Sequence, residues 1–291
     1  MRPLLWLTAS PRTFRAVDIR EFAPLVAWST TLLICRNSEE ALRSMAQGEL
    51  KEYMYLNSVP AGTEVLLGTT AFPFSSIERK FYKSFEAYVQ FKLFAGSDWV
   101  IIHDIPVFDD DSEKMQIKKI KINMKIVKFY LKIREESSID VKLIGIPQAT
   151  TIKSIAKIAQ IYEMLGVDAI GISLAPMINT RGITYRDNEL KNTILMIIKQ
   201  VKESTTIPII VLGSQEPNLA KELFIRFGIK TFEGSLLTRK SFPEMKKPPL
   251  RLVIENNKAK FVPIYVGKEF SPTDNLKNNI KTWIEFVRKA L

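Results

Sequence analysis

In this sequence a handful of polar side chains stand at or just past the ends of short apolar runs. WVIIH is followed by Asp104, KLIGIP by Gln148, AIGI by Ser173 and Leu174, and TFEG carries Glu233. A carboxylate held in a dry cleft can attack an anomeric carbon to give a covalent glycosyl-enzyme, or accept the N–H groups of a heterocyclic base. Asp104 and Glu233 together allow both roles, and Gln148 offers a donor and an acceptor to a base edge. Each residue also has a plainer reading. Carboxylates after strands serve as helix N-caps or ion-pair partners, and a buried amide can hold loop backbone. His103 beside Asp104 invites an acid–base role, against the common fate of a lone His as a core group. The acids Asp109 to Asp111 read as a loop and helix start rather than a metal site.

Cys35 and His103 are the only residues of their kinds, so disulfides, Cys/His zinc cages and two-His metal sites are excluded, and no metal or cofactor is expected. The first apolar run is too short for a signal peptide and no apolar stretch of about 18 residues occurs, so a cytoplasmic chain with no membrane partner is expected. Lys and Arg number 42 against 31 Asp and Glu, a net charge of +11 that favours polyanions such as nucleic acid. A solvated, Lys-rich surface of a heat-adapted protein would carry the same charge.

The elements that must position these residues alternate. Strands are predicted at Leu4 to Leu7, Thr31 to Arg36, Glu64 to Gly68, Trp99 to His103, Lys142 to Ile146, Ala169 to Leu174, Pro208 to Gly213 and Thr231 to Gly234. Helical spacing covers Ser76 to Ala95, Ser112 to Glu136, Thr151 to Leu165, Asp187 to Ser204 and Pro217 to Phe227. Ser112, Thr151 and Pro217 are start signals, while Gly96, Gly166 and Gly228 are stop signals before a strand. About eight strands alternating with helices in 291 residues predict an α/β fold, a single (β/α)₈ TIM-type barrel over residues 1–245. Residues 246–291 are expected to form a hairpin turned at Asn256-Asn257 and a closing helix from Asn275 to Ala290, packed on the barrel. In such barrels the site lies at the C-terminal ends of the strands, so Asp104, Gln148, Ser173 and Glu233 are expected at one mouth.

The ordered motifs resemble those of the tRNA-guanine transglycosylase family. KSFEAYVQFKLFAGSDWVIIHD is similar to the segment that ends in the family's base-recognising Asp, here Asp104. IGIPQATTIKSIAKIAQIYEMLGVDAIGISLA is similar to its Gln-containing loop, helix and following strand, and VLGSQEPNLAKELFIRFGIKTFEGSLLTRK to the stretch holding its nucleophile and a Pro-Thr-Arg element, with Leu237 for the proline. LRLVIENNKAKFVP and DNLKNNIKTWIEFVRKAL resemble its hairpin and last helix, so the likeness runs from about Val65 to the C-terminus. It implies exchange of guanine for a 7-deazaguanine base in tRNA or DNA, with Glu233 as nucleophile. Asp104, Gln148, Ser173, Leu174, Thr69 and Phe72 would surround the base, and Arg239 and Lys240 would meet phosphates. A homodimer and a heterodimer both stay open.

The sequence departs from the family at three places. Glu233 stands where the family has Asp, and its extra methylene moves the attacking oxygen by about an ångström. In LLGTTAFPF, Gly68 replaces an aspartate and Pro73 a glutamine. Between Pro263 and Asn275 there is no room for the family's zinc lobe. These departures keep open an inactive subunit or nucleic-acid-binding module, and an unrelated barrel enzyme that takes a phosphorylated metabolite at a loop such as Gly213-Ser214-Gln215.

Overall fold

Strands of four or five apolar residues cannot stand alone in water, and in this chain they complete one another's ladders. The computed structural model describes residues 4–8, 26–31, 39–56, 62–68, 84–174, 188–242, 248–264 and 270–289. Eight strands pair in chain order into a closed barrel: β1 (Leu4–Thr8), β2 (Val26–Thr31), β3 (Val65–Gly68), β4 (Trp99–Ile101), β5 (Lys142–Gly145), β6 (Ala169–Ser173), β7 (Ile209–Leu212) and β8 (Thr231–Gly234). All pairings are parallel, and the ring closes where Trp6 of β1 aligns with Glu233 of β8. The described helices are α1 (Glu39–Ala46), α2 (Leu50–Leu56), α3 (Phe85–Leu93), α4 (Glu113–Glu136), α5 (Ile152–Leu165), α6 (Asn188–Ser204), α7 (Pro217–Phe227), α8 (Leu236–Ser241) and α9 (Pro272–Arg288). The fold is thus an α/β TIM-type barrel, as the alternation of patterns predicts.

Two apolar layers hold it. Trp6, Leu66, Ile101, Ile144, Ile146, Ala169, Ile210 and Leu212 fill the barrel, while a larger cluster packs the strands' outer faces against the helices. Burying one such Leu or Ile stabilises the fold by about 1.5–3 kcal/mol. Gly171 faces the lumen because nothing larger fits: a Cβ there would meet Leu212 Cδ1 at 2.7 Å and Ile144 Cγ2 at 2.9 Å. The Gly-x-Asp turns pin strand entries. Asp98 accepts Val65 N at 2.8 Å and the Lys51 ammonium at 2.6 Å, and Asp168 accepts Leu143 N at 2.7 Å and Arg134 at 2.5 Å.

At the far end of the chain, β9 (Leu250–Glu255) and β10 (Lys258–Pro263) form an antiparallel hairpin, turned at Asn256 (φ 50°) and Asn257 (φ 57°), the left-handed pair of a tight hairpin turn. Asn279 accepts Leu252 N at 2.7 Å and donates to Leu250 O and Ser241 Oγ at 3.0 and 2.9 Å. Trp283 Nε1 donates to Gln215 O at 2.9 Å and its ring meets Phe232 edge-on. The hairpin and α9 are therefore fastened to the β7–β8 side of the barrel.

The described second strand is Val26–Thr31, which meets the expected Thr31 to Arg36 only at Thr31; residues 32–36 lie outside the described residues. VAWSTT carries strand propensity, and pairing of Leu5 with Val26 and of Thr31 with Gly68 sets it between β1 and β3. The helix expected from Ser76 is described from Phe85, capped by Ser84 accepting Ala87 N at 3.1 Å. Short helices α1, α2 and α8 went unpredicted, and α9 starts at Pro272, earlier than expected.

Candidate functional site at the strand ends

The mouth is built strand by strand. Beyond β4, Ile102 N still bonds Ile144 O at 2.9 Å, and the chain then leaves the ladder through His103 and Asp104. The turn is fixed immediately afterwards, because Asn123 of α4 accepts Ile105 N at 2.8 Å and donates to Ile105 O at 2.9 Å. On the neighbouring strand, Ile146 and Pro147 carry the chain to Gln148, whose Nε2 donates to Asp104 Oδ2 at 2.5 Å. Two residues separated by 44 positions thus form one hydrogen-bonded pair.

Burial pushes the Asp104 carboxyl up to about 6, against the opposing pull of the Gln148 hydrogen bond and of the Lys92 charge. Lys92 lies wholly inside, its ammonium donating to Ile101 O at 2.7 Å and facing the rings of Tyr88 and Tyr130 at 5.8 and 6.0 Å. Sequence reasoning missed it, since a lysine within a helical run reads as a surface residue. Burial and the Asp104 charge also push the Tyr162 phenol upward. His103 is 3% exposed and packs edge-on to Tyr88 and Phe85 at 5.8 and 6.0 Å. Its imidazole is held down to about 4 by burial and then by Lys92, so it is neutral at pH 7, a core group rather than a proton carrier.

Ser173 ends β6, aligned with Leu212, and together with Gln148 it lines a pocket of about 110 Å³. Ile146, Ile155, Ile172 and Leu190 form much of the pocket's apolar wall. Leu174 is less available than expected: its side chain is fully buried in the outer core and its amide donates to Leu212 O at 3.1 Å. Glu233 follows the outward-facing Phe232 and aligns with the lumen-filling Trp6, which puts it on the barrel's inner face. Its Oε2 accepts Gly213 N at 3.1 Å. Asp104 and Gln148 are thereby joined, Gln148 and Ser173 share a pocket, and the contact described for Glu233 is with the end of β7, one strand from Ser173.

The remaining candidates divide. Arg239 is exposed and Lys240 half-buried in the last turn of α8. Gly68 is buried at the end of β3 and brings no side chain to the mouth. Thr69, Phe72 and Pro73 lie outside the described residues. Of the acids at 109–111, Asp111 caps Phe108 N at 2.8 Å and pairs with Lys119 at 2.6 Å, a loop and helix-start role. In the Gly213 loop, the exposed Gly213 amide donates to the Glu233 carboxylate. Gln215, also missed, is a strut: Nε2 donates to Trp6 O at 3.0 Å and Oε1 accepts Leu237 N at 3.1 Å. Among the described residues no helix is long and apolar enough to cross a membrane.

No family model matches this chain, and no curated protein matches it.

Proposed function

We propose that this chain is a divergent relative of the tRNA-guanine transglycosylases, which holds a guanine-type base on Asp104 and Gln148 and exchanges it in tRNA or DNA through Glu233. The observation that carries the reading is the Asp104–Gln148 pair at the ends of two adjacent strands, with a carboxyl pushed up to about 6. At pH 7 such a carboxylate is mostly ionised and accepts the paired ring and exocyclic N–H groups of guanine, while the amide meets the ring carbonyl. The target nucleotide must leave its stack, because C1′ is inaccessible within a duplex.

In the exchange, a Glu233 carboxylate oxygen bonds to C1′ as the C1′–N bond to guanine breaks, and the bonding pair leaves with the base. The entering base then attacks C1′ through its glycosidic nitrogen and displaces Glu233; the proton it gives up balances the one taken by guanine. Asp104 and Gln148 hold each base in turn, so neither is consumed.

A second reading, a non-catalytic base- or nucleic-acid-binding subunit, is favoured by Gly68 at the end of β3 and by the engagement of Glu233 with Gly213 N. Incorporation of radiolabelled guanine or a 7-deazaguanine base into tRNA and duplex DNA tests both. Incorporation that Glu233→Gln abolishes supports exchange. No incorporation into either polymer, with salt-sensitive binding retained, moves the assignment to the second reading.

A further inference from the structure

Between Lys114 and Arg134, α4 carries eight basic residues and no acid. Lys114, Lys118, Lys121, Lys125, Lys128 and Lys132 are all exposed and succeed one another at alternating intervals of four and three residues. That spacing keeps them on one face of the helix, opposite the buried Asn123, Ile126, Val127, Tyr130 and Ile133. The row spans 18 residues, which is about 27 Å at 1.5 Å per residue.

Like charges at these intervals destabilise a helix, and positive charge in its first turns opposes the helix dipole. A solvated surface ordinarily relieves the repulsion by alternating signs. Other helices of this chain do so: Lys199 pairs with Glu203 on α6, and Arg226 with Glu222 on α7. In the α4 row, among the described residues, only Lys132 has an acidic partner, the exposed Glu136 at 3.6 Å. Among the described residues, no acid from another element neutralises this face.

We infer that the exposed face of α4 is a docking surface for the phosphodiester backbone of a nucleic-acid stem. A row of about 27 Å matches about eight base-pair steps of 3.4 Å, and ammonium groups on long flexible stems follow a phosphate row without reading sequence. The helix is also tied to the candidate base site. It starts nine residues after Asp104, and Asn123 grips both polar groups of Ile105, the residue next to Asp104. A stem laid along α4 therefore reaches the barrel mouth at the helix's first turn. The inference deepens the base-exchange reading and rests on it for the direction in which the nucleic acid lies, but the docking itself stands on the lysine row.

The test is fluorescence anisotropy with a labelled RNA hairpin and a labelled DNA duplex of equal stem length, over a range of salt, using the full chain. The quadruple change Lys118→Gln, Lys121→Gln, Lys125→Gln and Lys128→Gln is compared with the same change at the exposed Lys199, Lys202, Lys258 and Lys281. Loss of four phosphate contacts should flatten the slope of log affinity against log salt by about 3 to 4 and weaken low-salt binding by about a hundredfold. The control set should lose about threefold or less through net charge alone. Should the quadruple variant not fold, Lys121→Gln and Lys125→Gln singly should each flatten the slope by about 0.9. Equal losses in both sets, or unchanged slopes, overturn the inference. So does binding to phosphatidylserine vesicles with none to either polymer. Guanine binding to the free protein separates the two proposals: lysine-dependent docking without guanine affinity leaves the docking surface standing and removes the base site.

Discussion

Replacing Asp104 by Asn should make the protein more stable at pH 7.5 while disabling the site. The carboxyl rises from its ordinary 3.8 to about 6, chiefly through burial, so the folded protein retains a proton that the unfolded chain has released. Between about pH 4 and pH 6 folding therefore takes up a proton, and stability falls as pH rises through that window. The full rise corresponds to about 3 kcal/mol. Partial exposure at the mouth reduces this to about 1–2 kcal/mol. Asn keeps an acceptor for Gln148 Nε2 but has no charge to desolvate. Urea unfolding of both proteins at pH 4, 5, 6 and 7.5 should show curves that nearly coincide at pH 4 and separate by about 1–2 kcal/mol in favour of Asn above pH 6. Equal stabilities throughout, or an Asn variant weaker at pH 7.5, would refute the claim that Asp104 is a desolvated carboxylate.

Three other changes probe the same framework. His103 is held near 4 against an ordinary 6.5, so it contributes stability present above pH 6.5 and lost as pH falls toward 4. His103→Phe, which keeps the ring contacts with Phe85 and Tyr88, should remove about 2 kcal/mol of that acid sensitivity, read as the change in urea midpoint between pH 7.5 and 4.5. Lys92→Met removes the cation that helps keep Asp104 ionised, so the acid limb of guanine binding should move to higher pH; an unmoved limb would make Lys92 purely a packing residue. Gln215→Ala unties β1, through Trp6 O, from the start of α8, and should cost about 2–4 kcal/mol in thermal or urea unfolding.

The barrel was legible because its signals are local. Thr151, Pro217, Gly166 and Gly228 mark helix ends by their own hydrogen bonds and backbone preferences, and the structure uses each as a cap or first-turn residue. The strand at Val26–Thr31 was not, because its place is set by pairing with β1 and β3 rather than by a local signal. At the site, proximity of Asp104 and Gln148 followed from their places at the ends of adjacent strands. Lys92 and Gln215 could not be found that way. A polar residue inside a helix or after a Gly-Ser turn gives no local sign of being fully buried, and its partners, Ile101 O, Trp6 O and Leu237 N, are chosen by tertiary packing. The lysine row on α4 went unremarked in the sequence, because its significance depends on knowing which face of the helix is buried.

The most direct test of the central claim, that Asp104 and Gln148 form a base-binding pair, is calorimetric titration of guanine into the protein at pH 7.5 and pH 5, alongside Asp104→Asn. The account predicts binding at pH 7.5 that weakens about tenfold at pH 5, as a carboxyl near 6 becomes protonated, and loss of at least about tenfold in the Asn variant at pH 7.5. Guanine affinity that ignores both pH and the Asp104 substitution would contradict it.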